Sequence, residues 1–354
     1  MPKNSYRCPL LYVFWACSFS LTCLRPATAE QYALIVGIWD YEYPALRLDA
    51  PSNDLELMKS LLSACGVMQE RVHVLTNPKK AAIRREFETF SKNLTDQDSF
   101  LFYFSGHGTQ IIDKFAHAPG DEAKGRHPDK NDEALLPVDV NLSLPETYLL
   151  DDELNSLLQA FKTRKITCII DTCYAGDALK NMELGQTKGV PLPSASAGSL
   201  QQAGTSGRVG EILDDAAEFA ILLAAAPYNK AIYELRIPVQ KNYLPISAMT
   251  YSLYRQVFAA RSVGLTGAQN LTYRQLVARL QRDHQQWNLP WQPVLEGAES
   301  RFDEYFLQGT SVHRSDNTLS LETIDRRLTR LSTDQLISVK WSLASSRSRG
   351  IGTY

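Results

Sequence analysis

Two short runs of β-branched and aromatic residues, each ending in a small-residue turn that carries one reactive side chain, constrain the fold of this chain most tightly. The first lies in Lys165 to Gly176 (KITCIIDTCYAG). Ile166 to Ile170 is an apolar run bounded by charge before it and small residues after it, which favours a buried strand over a helix. That strand delivers Cys173 to a turn in which Ala175 and Gly176 leave room for a substrate backbone. The second run, Asp98 to Ser105 (DSFLFYFS), ends in Gly106-His107-Gly108 and leaves an imidazole exposed at its tip. Parallel strands of one sheet share a carboxyl edge, where α/β folds place their sites, so the pattern predicts Cys173 and His107 side by side. A thiolate nucleophile needs an imidazole within hydrogen-bond reach. Taken singly, each residue has an ordinary reading, since a Cys after a strand is more often a small buried hydrophobe and a His between glycines a turn residue. Paired on matching strand ends, they favour catalysis.

The order of the remaining segments predicts an α/β sheet with both faces covered. Tyr32 to Ile38 reads as the first strand. Asp54 to Cys65 carries Leu55, Met58, Leu61 and Leu62 at helical spacing before Gly66. Arg71 to Thr76 reads as a strand with His73 packed within it, and Ala81 to Phe90 as a helix. Ile111 to Asp132 is a long polar connection. Asp152 to Phe161, Ala248 to Ala260 and Tyr273 to Trp287 read as helices, and Phe219 to Ala226 and Glu304 to Leu307 as strands. Trp287 and Trp291 read as packing residues. Lys188 to Gly210 is rich in Gly, Ser, Ala, Pro and Gln and lacks large aromatics, the composition of an exposed segment.

Ser105-Gly-His-Gly108 followed by Asp171-Thr-Cys-Tyr-Ala-Gly176 resembles the caspase-like cysteine peptidase family, in particular its bacterial and metacaspase-type members. Tyr32 to Ile38, Asn53-Asp54, Asp132 to Asp139 (DEALLPVD) and Asp151 to Leu154 (DDEL) stand in that family's order. The resemblance implies a mostly parallel central sheet with helices on both faces. Between a leader (1–29) and an appended helix and tail (310–354) that lie outside the resemblance, it implies a large portion with the His/Cys dyad (30–180), a loop that such proteins often cut (181–217) and a small portion (218–309). It also implies endopeptidase activity, with Cys173 as nucleophile, His107 as proton carrier, and the backbone N–H groups of Gly108 and Cys173 as oxyanion donors. Metacaspase-like enzymes cleave after Arg or Lys, and Asp54 and Asp171 match two of their cation-receiving acids. Asn229 and Lys230 depart from the family pattern, which has an acid and then Gln there. Two other readings fit the same residues: a catalytically weak homologue that binds a partner, and a Cys-His peptide ligase or acyltransferase.

Residues 1–29 carry Lys3 and Arg7, an apolar run from Leu10 to Leu24, and Ala27-Thr-Ala29 ahead of Glu30, which reads as a secretory signal. The expectation is an exported protein, periplasmic or extracellular, with no stable membrane insertion once the leader is removed. Of six cysteines, three belong to the leader, leaving Cys65, Cys168 and Cys173. An odd number leaves at least one free thiol in an oxidising compartment. The chain carries a net charge of −2 and no basic block, so nothing in it calls for nucleic acid, and the resemblance implies protein or peptide substrates. Asp139, Asp151 and Asp152 resemble three members of a calcium site found in some metacaspases, but the fourth position falls near Lys180. Calcium is the one ion the resemblance brings in, and the expectation from the residues is no cofactor.

Overall fold

The computed structural model describes residues 29–112, 131–172, 216, 218–225, 234–239, 242–262, 271–289 and 292–307. The leader through Thr28, Lys180, the segment Lys188 to Gly210, Asn229, Lys230 and the tail 310–354 lie outside them. The strands are β1 (Gln31–Gly37), β2 (Val72–Thr76), β3 (Ser99–Ser105), β4 (Gly108–Ile112), β5 (Asn131–Leu135), β6 (Leu149–Leu150), β7 (Lys165–Asp171), β8 (Ala220–Ala224), β9 (Glu234–Val239), β10 (Asn242–Ser247) and β11 (Val294–Gly297). The helices are α1 (Pro51–Ala64), α2 (Lys80–Asn93), α3 (Asp151–Gln159), α4 (Ala248–Ser262) and α5 (Tyr273–Gln286).

Six strands form the central sheet in the order β11-β8-β7-β3-β1-β2. All pairs are parallel except β11 with β8, which is antiparallel. Alternate residues of each strand enter different cores, as the period of two requires. On one face Ile35, Leu101, Tyr103, Ile169 and Leu223 pack with α1, α4 and α5. On the other, Val36, Phe100, Phe102, Phe104, Ile170 and Leu222 pack with α2 and α3. This second core contains an aromatic cluster in which Phe87 meets Phe102 with ring centroids 4.9 Å apart and Phe161 meets Phe100 at 4.7 Å. Each such buried ring contributes roughly 1.5–3 kcal/mol. The architecture is the expected mostly parallel α/β sheet covered on both faces.

Local chemistry explains the element ends. Pro51 starts α1 three residues before the expected Asp54, because a proline at the first helical position forfeits only an N–H that is already unpaired there. Thr272 and Gln275 close a capping box at the start of α5, each side chain paired with the other's backbone N–H at 3.2 Å. Gly37 lets α1 sit directly on β1, since a Cβ there would lie 2.7 Å from Leu55 Cδ1.

Three sequence expectations change. The connection Ile111 to Asp132 begins and ends in strand, because β4 and β5 pair antiparallel and continue to β6 as a separate three-stranded sheet. Glu304 to Leu307 is not a strand. Only Tyr305 bridges Thr272, and Leu307 turns to φ +47, which ends the extended path while Phe306 packs into the core. The β9–β10 hairpin was not legible, since Pro238 and Pro245 interrupt what would otherwise read as strand. Trp287 packs as expected, stacked on Tyr251 at 5.6 Å, whereas Trp291 lies outside the described residues. No helix among the described residues is long and apolar enough to cross a membrane.

Candidate active site

The register of the sheet sets one row of residues at its carboxyl edge. Gly37 of β1 lies opposite Ser105 of β3, and Ser105 lies opposite Asp171 of β7. His107 follows Ser105 by two residues. Cys173 follows Asp171 by two residues and lies outside the described residues, which end here at Thr172. Gly108 opens β4 opposite Leu135.

His107 is buried, and three groups hold it. Its backbone N–H donates to Tyr41 Oη at 2.7 Å, and its carbonyl accepts from Leu136 N at 3.0 Å. Tyr41 Oη in turn donates to Leu136 O at 3.2 Å, so the phenol bolts the turn after β3 to the end of β5. The rings of Tyr41 and His107 lie 5.1 Å apart between centroids. Burial pushes the Tyr41 phenol well above its ordinary value, with the His107 N–H bond acting weakly the other way, so Tyr41 stays a donor. Gly106 makes this approach possible, because a Cβ at that position would fall 2.9 Å from Tyr41 Oη. Finally, His107 Nε2 lies 2.8 Å from Leu46 O. A carbonyl only accepts, so Nε2 carries a proton, and the neutral ring keeps Nδ1 as its basic nitrogen. Leu46 is itself set by a short turn in which Leu46 N donates to Tyr43 O at 2.9 Å and Arg47 N to Pro44 O at 3.2 Å.

The structure brings Asp54 and Asp171 into one polar cap over the α1/α4/α5 core, and neither has exposed surface. Asp54 Oδ1 accepts from Ser247 N at 2.8 Å, and its Oδ2 accepts from Ser105 Oγ at 2.7 Å and Ser247 Oγ at 2.5 Å. Asp171 Oδ2 accepts from Thr250 Oγ1 at 2.5 Å. Thr250 Oγ1 also lies 2.6 Å from Tyr103 Oη. Carboxylates withdrawn from water need such donors, because an unpartnered buried charge costs several kcal/mol on the order of a lost ion pair. The hairpin fixes the same corner. Asn53 Nδ2 donates to Pro245 O at 2.8 Å, and Ala50 N donates to Glu234 Oε1 at 3.0 Å.

The other two described thiols are poor nucleophiles. Cys65 and Cys168 are both buried, and desolvation pushes the Cys168 thiol up to about 12. His73 pairs with Glu86, Nδ1 to Oε2 at 2.7 Å, and packs on Phe90, so it serves a surface contact between β2 and α2. The acids that resemble a calcium site have other work. Asp139 Oδ1 accepts from Lys80 N at 3.1 Å, and Asp151 Oδ1 from Asp152 N at 2.9 Å at the start of α3. Among the described residues no three His, Cys, Asp or Glu side chains converge as metal ligands.

Sequence reasoning named His107, Asp54 and Asp171 and did not name Tyr41, Leu46, Ser247 or Thr250, which the structure places against them. Tyr41 and Leu46 lie in an irregular loop and act through a phenol and a carbonyl, which no periodicity marks. Ser247 immediately precedes α4 and Thr250 is its third residue; a Ser just before a helix is a readable capping signal.

Residues 30–286 match the family model of the Peptidase_C14 caspase domain. Among curated proteins, the chain is 30% identical over 174 residues to metacaspase-1 of Ajellomyces capsulatus, an alignment covering 46% of this chain and 45% of that protein. It is 29% identical over 174 residues to metacaspase-1 of Eremothecium gossypii, covering 36% of that protein. The chain thus spans less than half the length of these relatives. Among solved structures, protein GSU0716 from Geobacter sulfurreducens superposes with a TM-score of 0.52 at 18% identity, covering 80% of this chain and 100% of that one. That likeness concerns the fold alone.

Proposed function

The chain belongs to the caspase-domain peptidase family, and from that premise we propose that it is an exported cysteine endopeptidase that cuts after Arg, and less readily after Lys, through Cys173 and His107. The observation that carries the reading is the fixed imidazole: Nε2 is committed to Leu46 O, at a strand end whose register neighbour runs directly into Cys173. Nδ1 is then the nitrogen that takes the thiol proton. Cys173 Sγ attacks the scissile carbonyl carbon, and the oxyanion falls to the N–H groups of Gly108 and Cys173. Collapse of that adduct breaks the C–N bond as His107 Nδ1 returns the proton to the leaving amine. Water, losing its proton to Nδ1, then attacks the thioester and frees the acid.

Asp54 and Asp171 supply the preference before the cut. Two carboxylates in one buried corner favour a guanidinium, whose planar fork accepts both, over a point-charge ammonium, and disfavour an acidic residue. Residues 1–29 support export, and the substrates are proteins or peptides. The chain's acids do not fit a calcium site, since Asp139 and Asp151 are engaged on helix-start amides and Lys180 stands where a fourth acid is needed. The test is a peptide-library profile of residues 30–354 beside Cys173→Ala. Cleavage after Arg, absent from the variant, is expected; equal cleavage by the variant overturns the nucleophile, and a preference for Asp or an apolar residue overturns the pocket.

A further inference from the structure

The polar cap contains a hydrogen-bonded chain that joins Tyr103, Thr250 and Asp171. Thr250 has a single hydroxyl proton, and it donates that proton to Asp171 Oδ2 at 2.5 Å. Thr250 Oγ1 must therefore accept from Tyr103 Oη at 2.6 Å. Tyr103 is fully buried in β3, with the negative charges of Asp54 and Asp171 nearby, and all three influences keep its proton in place. With Thr250 donating to Asp171, the donation runs from Tyr103 to Thr250 to Asp171. Thr250 comes from the third residue of α4, beyond the loop 181–217, whereas Tyr103 and Asp171 come from before it.

We propose that Thr250, backed by Tyr103, is a positioning residue for Asp171 that sets the preference for Arg over Lys before the cut. This rests on the basic-pocket reading above. A guanidinium recognises a carboxylate by two parallel N–H bonds in one plane, so its binding depends on how the carboxylate plane is turned. An ammonium meets a carboxylate as a point charge and tolerates rotation. A donor that pins Oδ2 therefore matters more for Arg than for Lys. Ser105 and Ser247 hold Asp54 in the same manner from the opposite side of the corner.

The experiment compares kcat/KM on matched Arg and Lys peptides for wild type, Thr250→Val, Thr250→Ser and Tyr103→Phe. Thr250→Val keeps the shape of the side chain and removes the hydroxyl. It is expected to lower the Arg-to-Lys ratio about tenfold, the worth of one hydrogen bond to a charged group. Thr250→Ser should restore the ratio, and Tyr103→Phe should lower it about two- to threefold. The rate at which iodoacetamide modifies Cys173 should stay the same in all four. An unchanged ratio in folded Thr250→Val, or a Thr250→Ser that behaves like it, overturns the inference. If Thr250→Val does not fold, Tyr103→Phe decides by the same ratio. A wild type without preference for either basic residue refutes the pocket itself, a failure seen before any variant is made.

Discussion

Replacing Tyr41 by Phe isolates one oxygen atom on which the position of His107 depends. The ring would remain beside the imidazole, at the present centroid distance of 5.1 Å, so packing is largely preserved. What disappears is the acceptor of His107 N–H at 2.7 Å and the donor to Leu136 O at 3.2 Å. Both orphaned groups are backbone, in a corner with no solvent, and each unsatisfied buried group costs about 1–3 kcal/mol. The longer bond is the weaker of the two, which places the sum at about 2–4 kcal/mol. For a domain of this size that corresponds to a fall in Tm of roughly 3–7 °C, without unfolding a protein of ordinary stability at 25 °C. The catalytic effect follows from geometry. The turn 105–108 loses its tie to β5, and a drift of about 1 Å in Nδ1 lowers kcat on the order of 10²-fold. Differential scanning calorimetry and steady-state kinetics on an Arg peptide measure the two effects on one preparation. A Tm within 1 °C of wild type, or an unchanged kcat, refutes the assignment of Tyr41 as the bolt of this turn.

Cys173→Ala should abolish cleavage and His107→Ala should reduce it to nearly the same level, because nucleophile and base act as a unit; an active Cys173→Ala measured with a fluorogenic peptide would rule the nucleophile out. Asp54→Asn keeps an oxygen for Ser247 and Ser105 but removes the charge, so the rate on Arg peptides should fall at least about tenfold while iodoacetamide still modifies Cys173 at the wild-type rate. Incubation of the active protein should produce cuts after Lys188 or Arg208, absent from Cys173→Ala, and intact-mass spectra without them would confine that segment to a linker role. Urea melts against pH should show stability falling above about pH 9. Cys168, Tyr41 and Tyr103 all hold their protons more tightly folded than unfolded, so the unfolded state binds fewer protons as pH rises, and each group removes up to about 1.4 kcal/mol per pH unit between its unfolded and folded values. A flat profile to pH 11 contradicts the burial of these groups.

Strands were easy to see in this sequence where both faces are buried and hard to see elsewhere. Ser99 to Ser105 and Lys165 to Asp171 are near-continuous apolar runs because helices cover them on both sides, and that condition makes a strand visible without alternation. The small sheet β4-β5-β6 and the β9–β10 hairpin lack that signature. Asn131 to Leu135 (NDEAL) is strand only because β4 and β6 flank it, a tertiary decision that no local propensity carries. The site divides in the same way. His107 was legible because two glycines frame it, whereas Leu46 contributes a carbonyl, an atom every residue has, and only the folded path of the loop gives it a role.

The same register that builds the sheet also decides which acids reach the polar corner at its carboxyl edge. Along β3, Leu101, Tyr103 and Ser105 point to one face, and along β7 Ile169 and Asp171 point with them, by the period of two. That face is apolar until its last row, where Ser105 and Asp171 replace the hydrophobes and meet Asp54 from α1 and Thr250 from α4. A slip of one residue between β3 and β7 would set Ile170 or Thr172 opposite Ser105 and turn Asp171 towards the Phe102 and Phe104 core. The cost of an unpaired carboxylate there, several kcal/mol, far exceeds that of any single ladder hydrogen bond, on the order of 1 kcal/mol. The polar row therefore works as a register lock. The penalty that forbids a slipped sheet arises from Asp171, one of the two carboxylates proposed to receive the substrate's guanidinium.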